Sequence, residues 1–326
     1  MSTTLRVAIA GLGQVAWKFD REVGRKIVWT HLGAYRALGR DIFVAGCCDP
    51  SESARSEFSR ANPGIPVFET VAAMMKATNP HILSICTPAG THSEVLHAAI
   101  TSQDLRAIWC EKPLALNLSD AISMNELCKA RNVSLIVNHV RRWSPLWRRV
   151  KELVDGGAVG LPRLVRISMP NRLWTIGSHA ADLAVMLGGP VTNVAQLRIP
   201  SLDQDGEPAL PALLQFMSGA SGAILVTGLK DRLIVDVEII GDDGQLLARE
   251  DRGEITLEAF ESSTRFTGYL ERATPHLENL SNMTGSSPFI SAVTEVLNHA
   301  RGDSQILTCG GADALETMRL LDLIAA

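Results

Sequence analysis

The chain has 326 residues, 46% of them hydrophobic and 20% charged, which is long enough and apolar enough for two domains. Its 31 basic and 35 acidic residues leave a net charge of −4, so no surplus of Lys and Arg is available to draw a nucleic-acid backbone or an anionic membrane. No apolar run reaches the ~18 residues of a membrane span, and MSTTLRVAIAG enters a strand-like run with no basic segment and cleavable apolar stretch before it, so a cytoplasmic location is expected.

Up to about residue 140, short apolar, β-branched runs alternate with segments of helical length. The candidate strands are LRVAIA (5–10), IFVAGCC (42–48), PVF (66–68), HILSIC (81–86), AIWC (107–110) and SLIVN (134–138). Amphipathic stretches at 91–102 and 118–132 lie between them, the second with Ser119 as its expected N-cap. Strands apolar throughout and separated by helices imply a parallel sheet covered on both faces, a doubly wound α/β domain.

Beyond residue 140 the rhythm changes. Helices are expected at 145–157 and 178–187, followed by strands in PRLVRISM, VTNVAQLRI, ALLQFMS, GAILVTGL, RLIVDVEII, QLLARE and EITLEA. In RLIVDVEII, Leu233, Val235, Val237 and Ile239 alternate with Arg232, Asp236 and Glu238, as in an antiparallel strand with one wet face. SGASG and GDDG supply hairpin turns, and helices at 288–301 and 312–325 close the chain. The expected division is a dinucleotide-binding domain over 1–138 and an α+β domain on an open, mainly antiparallel sheet over 139–326, with the last helix packing back on the first domain.

The first strand runs into Gly11-Leu12-Gly13-Gln14-Val15-Ala16. In such a GxGxxA turn the first glycine permits the tight turn, the second lets backbone approach a pyrophosphate, and the small sixth residue lets helix and strand pack closely. Asp49 ends the second strand, where a carboxylate accepts hydrogen bonds from ribose hydroxyls and favours NAD over NADP. Its alternative role is to cap the next helix, with Pro50 at the first position, and Ser51 and Arg55 keep NADP open. The insertion KFDREVGRKIVWTH explains why Asp49 lies farther from the glycines than the usual ~20 residues.

Ligands of an open parallel sheet bind beyond the carboxyl ends of its strands, so Thr87, Glu111 and Lys112 are expected to line one crevice with the glycine turn. Lys112 precedes Pro113, which keeps it out of the helical region and permits a cis bond. Its charge can hold a substrate hydroxyl and favour its deprotonated form; the plain alternative is a surface lysine at a strand end. In LWTIGSHAADL, His179 and Asp182 stand three apart at a helix start, either as proton-transfer groups or as ordinary polar residues of an amphipathic helix.

The remaining residues read plainly. Cys47, Cys48, Cys86, Cys110, Cys128 and Cys309 contain no CxxC and are expected to be free thiols. His31, His81, His92, His97 and His139 show no metal-ligand spacing, so no metal is expected. Trp143, Trp147 and Trp174 are expected to be buried rather than stacked on a ring, and RRWSPLWRR to be a basic face with its tryptophans turned inward.

The order GLGQVA, CDP, CTPAGTH, CEKPLA, NHVRRWSP and GSHAADLAVMLGG resembles the Gfo/Idh/MocA family of oxidoreductases over nearly the whole chain. The resemblance implies a Rossmann domain, a second α/β domain whose open sheet makes a homodimer or homotetramer, and NAD(P)-dependent chemistry on a sugar or polyol carbon. It implies that Gly11, Gly13, Gln14 and Val15 meet the pyrophosphate, that Asp49 reads the ribose, and that Thr87 and Pro88 pass the cofactor. It implies that Lys112, between Glu111 and Pro113, is the catalytic lysine and that His179 exchanges the hydroxyl proton, with Asp182 as the acid one turn later. Arg142 matches an arginine that is structural or touches substrate.

Many active relatives carry an aspartate four residues before the histidine, where this chain has Thr175. A threonine can hydrogen-bond a hydroxyl but cannot hold negative charge beside an imidazolium. The leading expectation is a dehydrogenase or reductase of a sugar, sugar acid or sugar nucleotide. A diphosphate-linked sugar would recruit arginines, and Arg141, Arg142, Arg148, Arg149 and Arg172 are available. The alternatives are a catalytically reduced NAD(P)-binding sensor and an enzyme that recycles bound NAD without net redox.

Overall fold

The computed structural model describes residues 4–39, 42–170, 173–199, 208–229, 232, 234–281, 287–304 and 306–326. Arg172 and Leu233 lie outside the described residues. The chain divides into two compact units, 1–143 with 286–318, and 144–285 with 319–326. The boundary expected after residue 138 therefore falls after Trp143, and residues 286–318 return to the first unit, which corrects the expected assignment of that segment to the second.

The first unit is built on six parallel strands: β1 (Leu5–Ala10), β2 (Ile42–Cys48), β3 (Val67–Phe68), β4 (Ile82–Ile85), β5 (Ala107–Cys110) and β6 (Ser134–Val137). Their order in the sheet is β3-β2-β1-β4-β5-β6, with β1 between β2 and β4. Strands β4 and β5 are buried at every position, which is why their sequences show no polar alternation. The helices are α1 (His31–Ala37), α2 (Glu52–Ala61), α3 (Val71–Thr78), α4 (His92–Ala99) and α5 (Leu118–Ala130).

Two local features differ from the sequence reading. The segment after the glycine turn is a single π-helical turn, Gln14–Lys18, followed by a 3₁₀ turn at Phe19–Arg21; a full helix begins only at His31, where Thr30 accepts from the Gly33 amide. The N-cap of α5 is Asn117, whose side-chain oxygen accepts from the Asp120 amide at 2.8 Å, and the Ser119 hydroxyl donates to that same oxygen. Asn117→Ala is therefore expected to cost about 1 kcal/mol of stability in chemical denaturation, and Ser119→Ala no more than about 0.5 kcal/mol.

The second unit opens with α6 (Pro145–Asp155), then β7 (Pro162–Met169) and α7 (Ser178–Gly188). The remaining strands are β8 (Val191–Gln196), β9 (Ala212–Phe216), β10 (Ser221–Val226), β11 (Asp236–Gly241), β12 (Gly244–Arg249), β13 (Glu254–Ser262), β14 (Leu270–Arg272) and β15 (His276–Asn279). They form one sheet in the order β14-β13-β12-β11-β7-β10-β9-β8, with β15 on β13. Only the β7–β10 pairing is parallel among the described pairs. Strands β14 and β15 extend the sheet past the last expected strand.

Register explains the two faces. Ala212, Ile224, Ile167, Val237, Ala248 and Ile255 lie side by side across β9, β10, β7, β11, β12 and β13, and all are buried on the face that α7 covers. The opposite face carries the row Leu213, Ala223, Arg166, Glu238, Leu247 and Thr256. In the chain's last part, α8 (Pro288–Arg301) packs on α1, β5 and β6 of the first unit, and α9 is Gly311–Ala325. No helix among the described residues is long and apolar enough to cross a membrane. All six cysteines are buried free thiols.

Candidate functional site

Because all six strands of the first sheet run the same way, their carboxyl ends emerge on one edge. Residues Gly11, Asp49, Thr87, Glu111–Lys112 and Asn138 come within two residues of the ends of β1, β2, β4, β5 and β6 and share that edge. Chain reversal on either side of β1 leaves the crevice where open sheets take their ligands.

The glycine turn is held from three sides. The Gly11 amide donates to the Cys48 carbonyl at 2.8 Å, the Leu12 amide to Asp49 Oδ2 at 2.9 Å, and the Trp17 indole to the Leu12 carbonyl at 3.0 Å. Gly11 has φ +89°, and a Cβ there would lie 2.8 Å from the backbone of Cys86 and Thr87, so glycine is demanded both by conformation and by the closeness of β4. A Cβ on Gly13 would meet nothing within 4 Å. Trp17, which the motif does not include, is buried and edge-on to Phe58.

Asp49 accepts from two amides, Leu12 through Oδ2 and Ser51 through Oδ1 at 2.8 Å. It does not cap α2; Ser51 does, accepting from Ala54. Arg55 is turned onto the carbonyls of Asp49 and Pro50. Thr87 has a buried Oγ1 with no hydrogen-bond partner, an unsatisfied polar group at the sheet edge.

Glu111 is where the structure departs most from expectation. Its carboxylate is buried in the first unit, accepting from His31 Nε2 at 2.9 Å and Asn138 Nδ2 at 2.6 Å, and so belongs to the floor of the site rather than to an open wall. Burial raises its pKa, but the His31 hydrogen bond, the neighbouring Lys112 charge and the Asn138 hydrogen bond outweigh burial and hold the carboxyl below its ordinary value. Lys112 follows, half-buried, with its bond to Pro113 cis. His92 is also a member the sequence left unassigned: its ring nitrogens face the Thr87 carbonyl at 2.8 Å and the Leu114 carbonyl at 3.1 Å, tying the segments after β4 and β5 together. Burial lowers its pKa.

In the second unit, Thr175 is exposed in a π-helical turn, Leu173–Gly177, that leads into α7. His179 is half-buried at the second position of α7, and Asp182 is buried one turn later. Ser178, beside His179, has a buried hydroxyl without a hydrogen-bond partner. Trp147 is buried and donates to Glu250, while Trp143, buried in the first unit, donates to Glu295; neither is open to stack on a ring. Arg142 is buried rather than on a wet basic face, donates to the Thr308 carbonyl at 3.2 Å and pairs with Asp313, an arrangement that favours the structural alternative for it. Arg149 grips Glu278 with two hydrogen bonds of 2.8 and 2.9 Å.

A family model described as an oxidoreductase family with an NAD-binding Rossmann fold matches residues 5–139. A D-apiose dehydrogenase from Paraburkholderia graminis is 29% identical over 213 residues, covering 60% of this chain and 56% of that protein. A myo-inositol 2-dehydrogenase from Thermotoga maritima is 26% identical over 223 residues, covering 60% of this chain and 65% of that protein. The chain thus spans about three fifths of the length of these two relatives. In fold it is similar to the crystal structure of the WlbA dehydrogenase from Bordetella pertussis in complex with NADH and UDP-GlcNAcA, at a TM-score of 0.75 and 22% identity, covering 99% of this chain and 96% of that one. The glycine turn, the six-stranded parallel sheet and the match over residues 5–139 together identify that part of the chain as an NAD-binding Rossmann fold of the kind found in the Gfo/Idh/MocA oxidoreductase family.

Proposed function

We propose that the protein is an NAD-dependent oxidoreductase acting on a hydroxyl or keto carbon of a sugar, sugar acid or sugar nucleotide. The observation that carries this reading is the gathering of a pinned glycine turn, the Asp49 carboxylate and a lysine at one sheet edge. The residues fit the cofactor: open space at Gly13 admits a pyrophosphate, and Thr87 Oγ1 has unused hydrogen-bonding capacity at the same sheet edge. Gln14 and Val15 offer their amides at the same turn. Each Asp49 oxygen accepts one amide and retains a lone pair for a ribose hydroxyl. Thr87, Pro88 and the backbone of Glu111 and Lys112 line the path of the cofactor, with the Glu111 carboxylate beneath it. NADP is the second cofactor of this reading.

NAD supplies or accepts the hydride. The ammonium of Lys112 polarises the reacting oxygen and favours its anionic form. His179 takes or returns the hydroxyl proton, Asp182 acts as its positioning residue, and Thr175 hydrogen-bonds a substrate hydroxyl. Arg142 keeps a contact to substrate only as the lesser alternative to its structural role. Apolar residues on the uncovered sheet face, Leu213 at 62% and Leu225 at 38% exposure, support a homodimer or homotetramer formed through that sheet.

The test is to purify the protein, examine it for bound NAD(H) by reduced-nicotinamide absorbance, and screen sugars, sugar acids and sugar nucleotides in both redox directions. Turnover with one of these classes, by a protein that elutes as a dimer or tetramer with light-scattering detection, is expected. Tight NADH binding with no turnover across the screen would replace this reading with that of a cofactor sensor, which Thr175 motivates.

A further inference from the structure

Beneath Lys112 runs a chain of four buried polar side chains from three segments of the first unit: α1, β4 and the residue after β5. Tyr35 Oη lies 2.7 Å from Ser84 Oγ, Ser84 Oγ 2.9 Å from His31 Nδ1, and His31 Nε2 2.9 Å from Glu111 Oε1. Tyr35, His31 and Ser84 are each no more than 1% exposed, so each bond is made out of water, where a missing partner is costly.

The direction of the chain follows from what each group can do. The Glu111 carboxylate only accepts, so His31 Nε2 carries the proton toward it; Nδ1 of the neutral ring then accepts from the Ser84 hydroxyl, which accepts from Tyr35. Burial pushes the Tyr35 phenol far above its ordinary value, which keeps it the donor at the head of the chain. Three aligned donors thus end on one carboxylate, and each strengthens the next. The imidazole is also fixed as a ring: its centroid is 3.8 Å from that of Trp109 and 5.7 Å from that of Phe289.

Glu111 is the residue to which Lys112 is joined, and its second oxygen lies 3.4 Å from the Lys112 amide. The Glu111 amide is itself held by the Ile85 carbonyl at 2.9 Å. We propose that His31 is a positioning residue for Lys112: the Tyr35–Ser84–His31 donor chain fixes the Glu111 carboxylate, and with it the place and charge environment from which the lysine amine reaches substrate. The importance of that amine rests on the reading of Lys112 as the group that polarises the reacting oxygen.

The experiment needs no substrate. Wild type and variants, with and without NADH, are exposed to trace acetic anhydride at fixed pH, and acetylation of Lys112 is measured by mass spectrometry relative to the exposed Lys76 and Lys129. In His31→Leu the Lys112 ratio is expected to change by about threefold or more, because its neighbouring carboxylate loses a donor and its fixed place. In His31→Gln, whose amide still donates to Glu111, the ratio is expected to return to near the wild-type value. Ser84→Ala, which leaves the imidazole in place and removes the donor to Nδ1, should shift it in the same direction as His31→Leu and is read in its stead if that variant does not fold. An unchanged Lys112 ratio in whichever of these two variants is folded overturns the proposal, as does a shift in His31→Gln as large as in His31→Leu. Since labelling is independent of turnover, such a failure leaves the oxidoreductase reading standing, and a failed substrate screen leaves the labelling result intact.

Discussion

Lys112→Met is expected to lower kcat/KM by about 10²- to 10⁴-fold with the sugar-type substrate, while the dissociation constant for NADH stays within about threefold of wild type. Methionine keeps the length and apolar stem of lysine, so the half-buried segment after β5 retains its packing. On the proposed reading, what is lost is the positive charge beside the oxygen that becomes anionic as hydride leaves the carbon. A loss of that size corresponds to about 3 to 5 kcal/mol of transition-state stabilisation, the scale expected of a charge acting in a water-poor site. The measurement is steady-state kinetics paired with NADH fluorescence titration. Full activity in the variant would remove Lys112 from the chemistry even with the fold unchanged.

Gly11→Ala and Gly13→Ala are expected to separate two uses of glycine within three residues. At Gly11 an added methyl would sit 2.8 Å from three backbone atoms at the end of β4, in a residue with φ +89°. Left-handed backbone alone costs alanine about 1 kcal/mol, and the clash falls on the central β1–β4 pair, which cannot yield cheaply. The expected loss is about 2 to 4 kcal/mol of stability, read as a lower denaturation midpoint. At Gly13 the backbone is extended and the added methyl meets no protein atom, so stability should stay within about 0.5 kcal/mol of wild type. The cost appears instead in affinity: the methyl occupies the space through which backbone approaches pyrophosphate, and NADH binding should weaken by about 10- to 100-fold. If Gly13→Ala binds NADH as tightly as wild type, the pyrophosphate lies elsewhere.

The chain's sequence by itself determined the parallel sheet, the glycine turn and the edge on which Asp49, Thr87 and Lys112 emerge. These follow from local pattern: apolar runs of strand length, helices between them, and the rule that parallel strands present their carboxyl ends together. The hairpins at SGASG and GDDG were legible for the same reason, since turn residues and strand alternation lie within a few positions of one another. Tertiary structure alone decided which polar groups meet. His31 and Glu111 are 80 positions apart, and nothing around either residue announces the other; only the placement of α1 beside β4 and β5 brings them to 2.9 Å. Arg142 reads as part of a basic surface run until Asp313 and the Thr308 carbonyl, far along the chain, take it into the interior. Residues 286–318 belong to the first unit because α8 buries Phe289, Val293 and Val296 against α1, β5 and β6, a choice of partner that an amphipathic pattern leaves open. Periodicity says that a face will be buried, and the neighbour that buries it is set by the packing of the whole domain.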